Sequence, residues 1–249
     1  MMNGSPLISV ITPTLNSNSG IEQCLQSVIG QTYKNVEHII VDGLSSDNTL
    51  AIVREFQSKF PGIRLISQKD NGIYDAMNHG IALANGEWLY FLGSDDSLYD
   101  KNVFCRLYRL FSDPEYDIIY GNVRFKLSGS KYIGRFNKIK LLCTNICHQA
   151  IFTRKEVFTR LGGFNIEYTT YADWHFNMRW FNDPRLCHHY VNLIIAWFFE
   201  GGHSKNKQDP KFHEDFPKIV EDYFPEIVSK IYNHRHNIVL NNIIKALSI

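Results

Sequence analysis

Four short apolar runs, each followed by a polar turn and an amphipathic segment, fill the first hundred residues. They are residues 7–12 (LISVIT), 36–41 (VEHIIV), 63–67 (IRLIS) and 88–92 (WLYFL). Each has strand length and a nearly continuous apolar character, the pattern of a strand buried on both faces. Between the first two runs, Ile21, Cys24, Leu25, Val28 and Ile29 recur at helical spacing. The turn GLSSDNT offers Ser46 or Asp47 as the N-cap of a second helix carrying Leu50, Val53 and Phe56. After QKDNG, a third helix aligns Met77, Gly80, Ile81 and Ala84. The order β-α-β-α-β-α-β predicts an α/β fold with a doubly wound, mostly parallel sheet.

Beyond residue 100 the rhythm loosens into a smaller, mixed region. Helices are expected over 103–111, 156–161 and 173–181, a hairpin over 117–125 and 131–136 around KLSGSK, and a strand over 191–199. A glycine-led polar loop, GGHSKNKQDP, precedes a helical stretch over 212–247 that Pro217 and Pro225 should break. One domain with a specialised second half accounts for this layout.

Composition narrows the function classes. With 26 basic and 25 acidic residues in 249, the net charge of +1 gives no basis for bulk nucleic-acid binding. The five cysteines are odd in number and scattered, and the Cys143/Cys147 pair has no companion pair at zinc-site spacing. A reduced, cytoplasmic chain is expected. The N-terminus turns polar too soon for a signal peptide, and the longest apolar run, VNLIIAWFF, is too short to span a bilayer.

The polar residues cluster just after the strands: TPTLN, Asp42, KDNGIYD and GSDD. In a parallel sheet these four places share one rim, where ligands bind. Paired carboxylates at Asp95 and Asp96 need solvent, donors or a cation, and oxygen-only ligands suit Mg²⁺ or Mn²⁺ bound with substrate phosphates. A solvated turn with a helix cap is the plainer alternative. Asp42 sits where an open sheet reads a nucleoside, or else opens an Asx turn. No G-x-G-x-x-G or G-x4-G-K-[ST] motif occurs, so a dinucleotide or P-loop site is disfavoured.

In order and at suitable spacing, ISVITPTLN, HIIVDGLSSDNT, KDNGIYDAMNHGIALANGEWLYFLGSDD, HQAIFTRKEVFTRLGGFN and YADWHFNMR resemble the motifs of family-2 glycosyltransferases with the GT-A fold. The resemblance runs from about residue 7 to 204. It implies a catalytic domain over 1–204, with a nucleotide-binding half (1–100) and an acceptor half (101–204); the tail over 205–249 is not covered by it and is read as a helical extension. By the same resemblance, Thr12, Pro13, Thr14 and Asn16 line the nucleotide pocket and Asp42 reads the base. Asp70, Gly72, Asp75 and Asn78 match the segment that closes over the donor; Ser94 and Asp96 are further donor-binding candidates. Asp95 corresponds to the last acid of D-x-D and holds Mn²⁺ or Mg²⁺, with His203 as a late metal ligand. Asp173 corresponds to the general base of inverting members. His148, Gln149 and Trp174 are candidates for the acceptor side. One departure stands out: the first acid of D-x-D is replaced by Gly93.

Such chemistry breaks an anomeric C–O bond to a diphosphate while an acceptor hydroxyl loses its proton. The resemblance implies a UDP- or GDP-linked sugar as donor, a saccharide or lipid-linked saccharide as acceptor, and a role in surface polysaccharide assembly at the inner face of the membrane. Lys230, Ile231, Tyr232 and Arg235 would then touch lipid, with helix packing as the alternative use of the tail. Lys205 and Lys207 are candidates to close over the diphosphate. Two rivals remain at this level. A nucleotidyltransferase would want an arginine-rich loop after the first strand, and TPTLNSNSG has no arginine. A non-catalytic nucleotide-sugar-binding module would explain Gly93 but not Asp95 and Asp173.

Overall fold

The computed structural model describes residues 6–132, 134–201 and 208–227. The expected alternation is present: β1 (Ile8–Thr14), α1 (Ile21–Ile29), β2 (Val36–Asp42), α2 (Thr49–Lys59), β3 (Ile63–Ser67), α3 (Ile73–Leu83) and β4 (Trp88–Phe91). β1 runs parallel between β2 and β4, with Ile8 opposite both Val36 and Trp88, and β3 lies parallel outside β2. All seven residues of β1 are buried, as a central strand covered on both faces requires. Its side chains alternate between two cores. Ile8 and Val10 join Trp88, Tyr90 and Phe104 on one face, while Ile11 joins Leu89, Phe91 and Met77 on the other.

Pro13 survives in this central strand because of where it falls. The Ile11 carbonyl accepts from the Leu92 N–H, so residue 13, two positions on, faces the same side. Pairing with β4 stops at Ile11, and a proline there removes no ladder bond.

The second half contains β5 (Ser97–Leu98), α4 (Val103–Phe111), β6 (Ile118–Phe125), β7 (Lys131–Tyr132), α5 (Lys138–Cys143), a 3₁₀ turn (His148–Ala150), β8 (Ile151–Arg154), α6 (Lys155–Leu161), α7 (Ala172–Asn182), β9 (His188–Phe198) and α8 (Pro210–Tyr223). The sheet order is β3-β2-β1-β4-β8-β6-β9-β5, with β7 on β6. β8 is antiparallel to both neighbours, β4 and β6, and β6 is parallel to β9. The sheet is thus parallel through β4 and mixed beyond it. β5, α5 and β8 escaped the sequence reading because two to six residues are too few to show a period.

Two boundary expectations change. The cap residue of α2 is Asn48, although Asp47 supplies the bond, its Oδ1 accepting the Thr49 N–H at 2.9 Å. α8 runs through Pro217 instead of breaking there. A proline inside a helix costs about 3 kcal/mol, and here burial outweighs it. Phe212, Phe216 and Ile219 form a stripe in the same core as Trp174 and Tyr168. Pro225 follows the end of α8.

Candidate active site at the carboxyl rim

The loops after β1 and β2 are stapled together. The Asn16 N–H donates to Ser45 Oγ (2.8 Å), the Ser46 N–H to Asn16 Oδ1 (2.9 Å), the Ser17 N–H to Thr49 Oγ1 (2.8 Å) and the Asn18 N–H to Asp47 Oδ2 (3.1 Å). Among the described residues, Asn16 (φ +50°) and Leu44 (φ +66°) are the non-glycine residues in the left-handed region. Such strain persists only where surrounding bonds impose it and gathers at functional loops. Leu15 and Leu44, 56% and 55% exposed, leave an apolar surface on these same two loops.

Below them, several expected site residues face inward. Thr12 is fully buried, with its Oγ1 2.9 Å from His38 Nε2. Pro13 is buried in β1. Thr14 carries a buried hydroxyl with no partner among the described residues. Asp42 is also fully buried, its Oδ2 accepting from Ser67 Oγ (2.6 Å) and the backbone of Leu44 and Ser45 (both 3.1 Å). The carboxylate therefore builds the turn after β2, as the Asx alternative had it.

The segment after β3 carries its own caps. Asp70 Oδ1 accepts the Gly72 N–H at 3.0 Å, and Asp75 Oδ2 accepts the Asn71 N–H at 2.9 Å. Gly72 holds φ +118°, which a side chain would strain. Asn78 points elsewhere. Its amide donates to the Phe164 carbonyl and accepts the Phe164 N–H, both at 2.9 Å. That ties α3 to the loop after α6 and fixes the orientation of the amide.

After β4 the two acids diverge. Asp95 is partly exposed, and no hydrogen bond reaches its carboxylate from any described residue. Asp96 turns under the loop, where Oδ2 accepts from Gln149 Nε2 (2.6 Å) and Oδ1 from the Phe199 N–H (2.8 Å). Burial, reinforced by the neighbouring Asp95 charge, pushes its pKa up to about 6. Gly93 makes this turn possible: a Cβ there would lie 2.6 Å from Asp96 Oδ2 and 3.0 Å from Asp95 Oδ1. Ser94 Oγ donates to Ser17 Oγ at 2.8 Å, tying the fourth loop to the first. Lys126 donates to the Asp95 carbonyl at 2.8 Å and to Gln23 Oε1 at 2.9 Å. Burial lowers its pKa and the two aspartates oppose that.

Asp173, in the first turn of α7, is 7% exposed. Its Oδ2 lies 3.1 Å from His148 Nδ1, and its Oδ1 accepts the Trp174 N–H at 2.8 Å. The Tyr74 hydroxyl lies 3.0 Å from Oδ1 and 2.6 Å from the Thr170 carbonyl, so one proton is shared between two acceptors. Asp209, the N-cap of α8, holds the approach to α7 by accepting the Thr170 and Tyr171 N–H groups at 2.8 and 3.0 Å. Gln149 is buried, and its carbonyl accepts from Tyr90. Trp174 is a core residue. It donates to the Leu141 carbonyl (2.7 Å) and stacks on Phe212.

Of the expected residues, the structure joins His148 to Asp173 and Gln149 to Asp96. It sends Thr12, Asn78 and Trp174 to structural duties. His203, Lys205, Lys207 and the tail residues Lys230, Ile231, Tyr232 and Arg235 lie outside the described residues. Sequence reasoning missed Tyr74, which lies inside a quoted motif but reads as helix core, and Lys126, which reads as part of a hairpin turn.

A divalent ion fits the rim in one respect. Mg²⁺ is commonly held by one or two carboxylates together with substrate phosphates, and the carboxylate of Asp95, in the loop after β4, has no hydrogen-bond partner among the described residues. Among the described residues, no three His, Cys, Asp or Glu side chains converge as a ready-made cluster.

The profile of Glycosyl transferase family 2 matches residues 9–179. A PGL/p-HBAD biosynthesis glycosyltransferase of Mycobacterium bovis (strain BCG / Pasteur 1173P2) is 40% identical over 218 residues, covering 86% of this chain and 85% of that protein. An uncharacterized glycosyltransferase of Mycobacterium tuberculosis is 31% identical over 185 residues, covering 72% and 70%. Among solved structures, S. aureus TarS 1–349 in complex with UDP-GlcNAc aligns with a TM-score of 0.73 at 19% identity, covering 86% of this chain and 65% of that one. The mannosyltransferase PcManGT from Pyrobaculum calidifontis, in complex with GDP-Man and Mn²⁺, aligns at 0.64 and 17%, covering 91% and 65%. The chain spans just under two thirds of these two structures, and at such identities the likeness speaks for the fold.

Proposed function

Because the chain belongs to glycosyl transferase family 2, and is a glycosyltransferase of the GT-A fold, we propose that it transfers a sugar, with inversion, from a UDP- or GDP-linked donor to a saccharide or lipid-linked saccharide hydroxyl. The observation that carries this reading is the unlike treatment of the acids. Asp95, after β4, has no hydrogen bond to its carboxylate among the described residues, while Asp173 is fixed by donors on the acceptor side. The donor class is supported by the sugar nucleotides held by the two solved neighbours. That there is a glycosyl acceptor follows from the glycosyltransferase role, which the name of the mycobacterial relative shares.

In this reading the stapled loops after β1 and β2, shaped by Asn16, Thr14 and Asp42, cradle the nucleoside. The Asp70–Asp75 segment borders the donor. Asp95, with His203, would hold Mn²⁺ or Mg²⁺, which as a Lewis acid neutralises charge on the departing diphosphate. Acceptor activation depends on Asp173, and attack from the face opposite the leaving group inverts the anomeric centre. Among the described residues no helix is long and apolar enough to cross a membrane. In this reading the protein meets a lipid-linked acceptor at the inner, cytoplasmic face of the membrane, as the family resemblance implies.

The test is nucleoside diphosphate release from a panel of nucleotide sugars with Mn²⁺ and candidate acceptors. Wild type should consume one donor, and Asp173→Asn should bind it yet lose about 10²–10⁴-fold in kcat. Unchanged transfer by Asp173→Asn, or no donor consumed by wild type, overturns the reading.

A further inference from the structure

His148 is not explained by lining a pocket. It opens the 3₁₀ turn before β8, and its Nδ1 faces the Asp173 carboxylate at 3.1 Å. Its other ring nitrogen, Nε2, is buried and has no partner among the described residues. A carboxylate accepts only, so this contact fixes the proton on Nδ1 and leaves Nε2 as a bare acceptor. A buried acceptor without a donor is costly, and this one is carried by the ring whose other nitrogen meets the Asp173 carboxylate. The side chain as a whole remains 18% exposed.

Asp173 is differently placed. Its two oxygens already receive the His148 Nδ1–H, the Trp174 N–H and a share of the Tyr74 proton. About three of its four lone-pair sites are taken. Its surroundings suit a carboxylate that orients a neighbour more than one that receives a substrate proton. The ring also stands between the two halves of the site, because the next residue, Gln149, grips Asp96 below the donor loop.

From this arrangement we infer that His148 and Asp173 form a catalytic dyad in which His148 Nε2 takes the acceptor's proton. This rests on the transfer reading above. As the acceptor oxygen bonds to the anomeric carbon, its O–H proton passes to Nε2. The anomeric C–O bond breaks and the nucleoside diphosphate leaves with the bonding electron pair. The imidazolium that forms lies against the Asp173 carboxylate, which stabilises it without being protonated. Asp173 is then a positioning residue acting through His148, whereas His148 touches the reacting hydroxyl.

The deciding variant is His148→Asn. Its amide nitrogen takes roughly the place of Nδ1 and keeps an N–H toward Asp173, but nothing replaces Nε2. The dyad predicts a loss of about 100-fold or more in kcat, with donor KM and melting temperature close to wild type. His148→Ala should lose as much and regain activity with added imidazole, a response that a purely structural histidine would not give. If His148→Asn melts early, imidazole rescue of His148→Ala decides. Wild-type kcat in His148→Asn, or no rescue of a folded His148→Ala, overturns the dyad. If Asp173→Asn is inactive while His148→Asn is active, transfer and its dependence on Asp173 stand and only the dyad falls. If no nucleotide sugar is consumed by wild type, the transfer reading falls with it.

Discussion

Gly93 and Asp96 account for each other. The glycine departs from the family's usual acid, and a side chain there would meet the Asp96 carboxylate at 2.6 Å. Restoring the acid should therefore damage the site. Gly93→Asp is expected to cost about 1–3 kcal/mol and lower kcat, as measured by thermal melting and donor turnover; improved turnover would show the space to be free. At the neighbouring position, chelation should abolish transfer and Mn²⁺ restore it in wild type, while Asp95→Ala should stay inactive at saturating Mn²⁺. The glycine itself is visible in the sequence. Its reason is not, because Asp96 is held by Gln149 and Phe199, 53 and 103 residues further along the chain.

Between elements, Asn78 is the joint that joins α3 to the loop after α6. Family resemblance places it at the donor, whereas one N–H and the oxygen of its amide hold both backbone groups of Phe164. Asn78→Ala should cost about 1–3 kcal/mol of stability by leaving those groups unpaired, with donor KM unchanged. A raised donor KM at unaltered stability would return Asn78 to the binding site. The long, periodic elements were legible: β1 to β4 and α1 to α4 fall within a few residues of their expected places. β8 was not. Its IFTR has no period to read, and its place between β4 and β6 is set by pairing with strands more than thirty residues away. α8 shows the converse. A local rule that breaks helices at proline gave way to apolar burial against α7.

Across the whole molecule, buried histidines tie stability to pH. Burial holds His38 down to about 3 and His175 down to about 4, against an ordinary value of 6.5. Below pH 6.5 the unfolded chain binds these protons, while the folded chain binds them only near the lowered values. The two histidines therefore lower stability as pH drops from 6.5 toward 4, by up to about 1.4 kcal/mol per pH unit each. Asp96, which the folded chain protonates first at about pH 6, offsets roughly one histidine's share below that pH, leaving a net fall. Denaturant midpoints between pH 7 and 4 check this, and a flat profile would contradict it. By itself the sequence determined the parallel half-sheet, its helices and the gathering of polar residues along one rim, because these follow from residue periods that a few turns of chain can carry. Only the tertiary structure decided which acid stays free, which turns inward, and that His148 meets Asp173. Those outcomes depend on burial and on hydrogen-bond partners that packing delivers from distant parts of the chain.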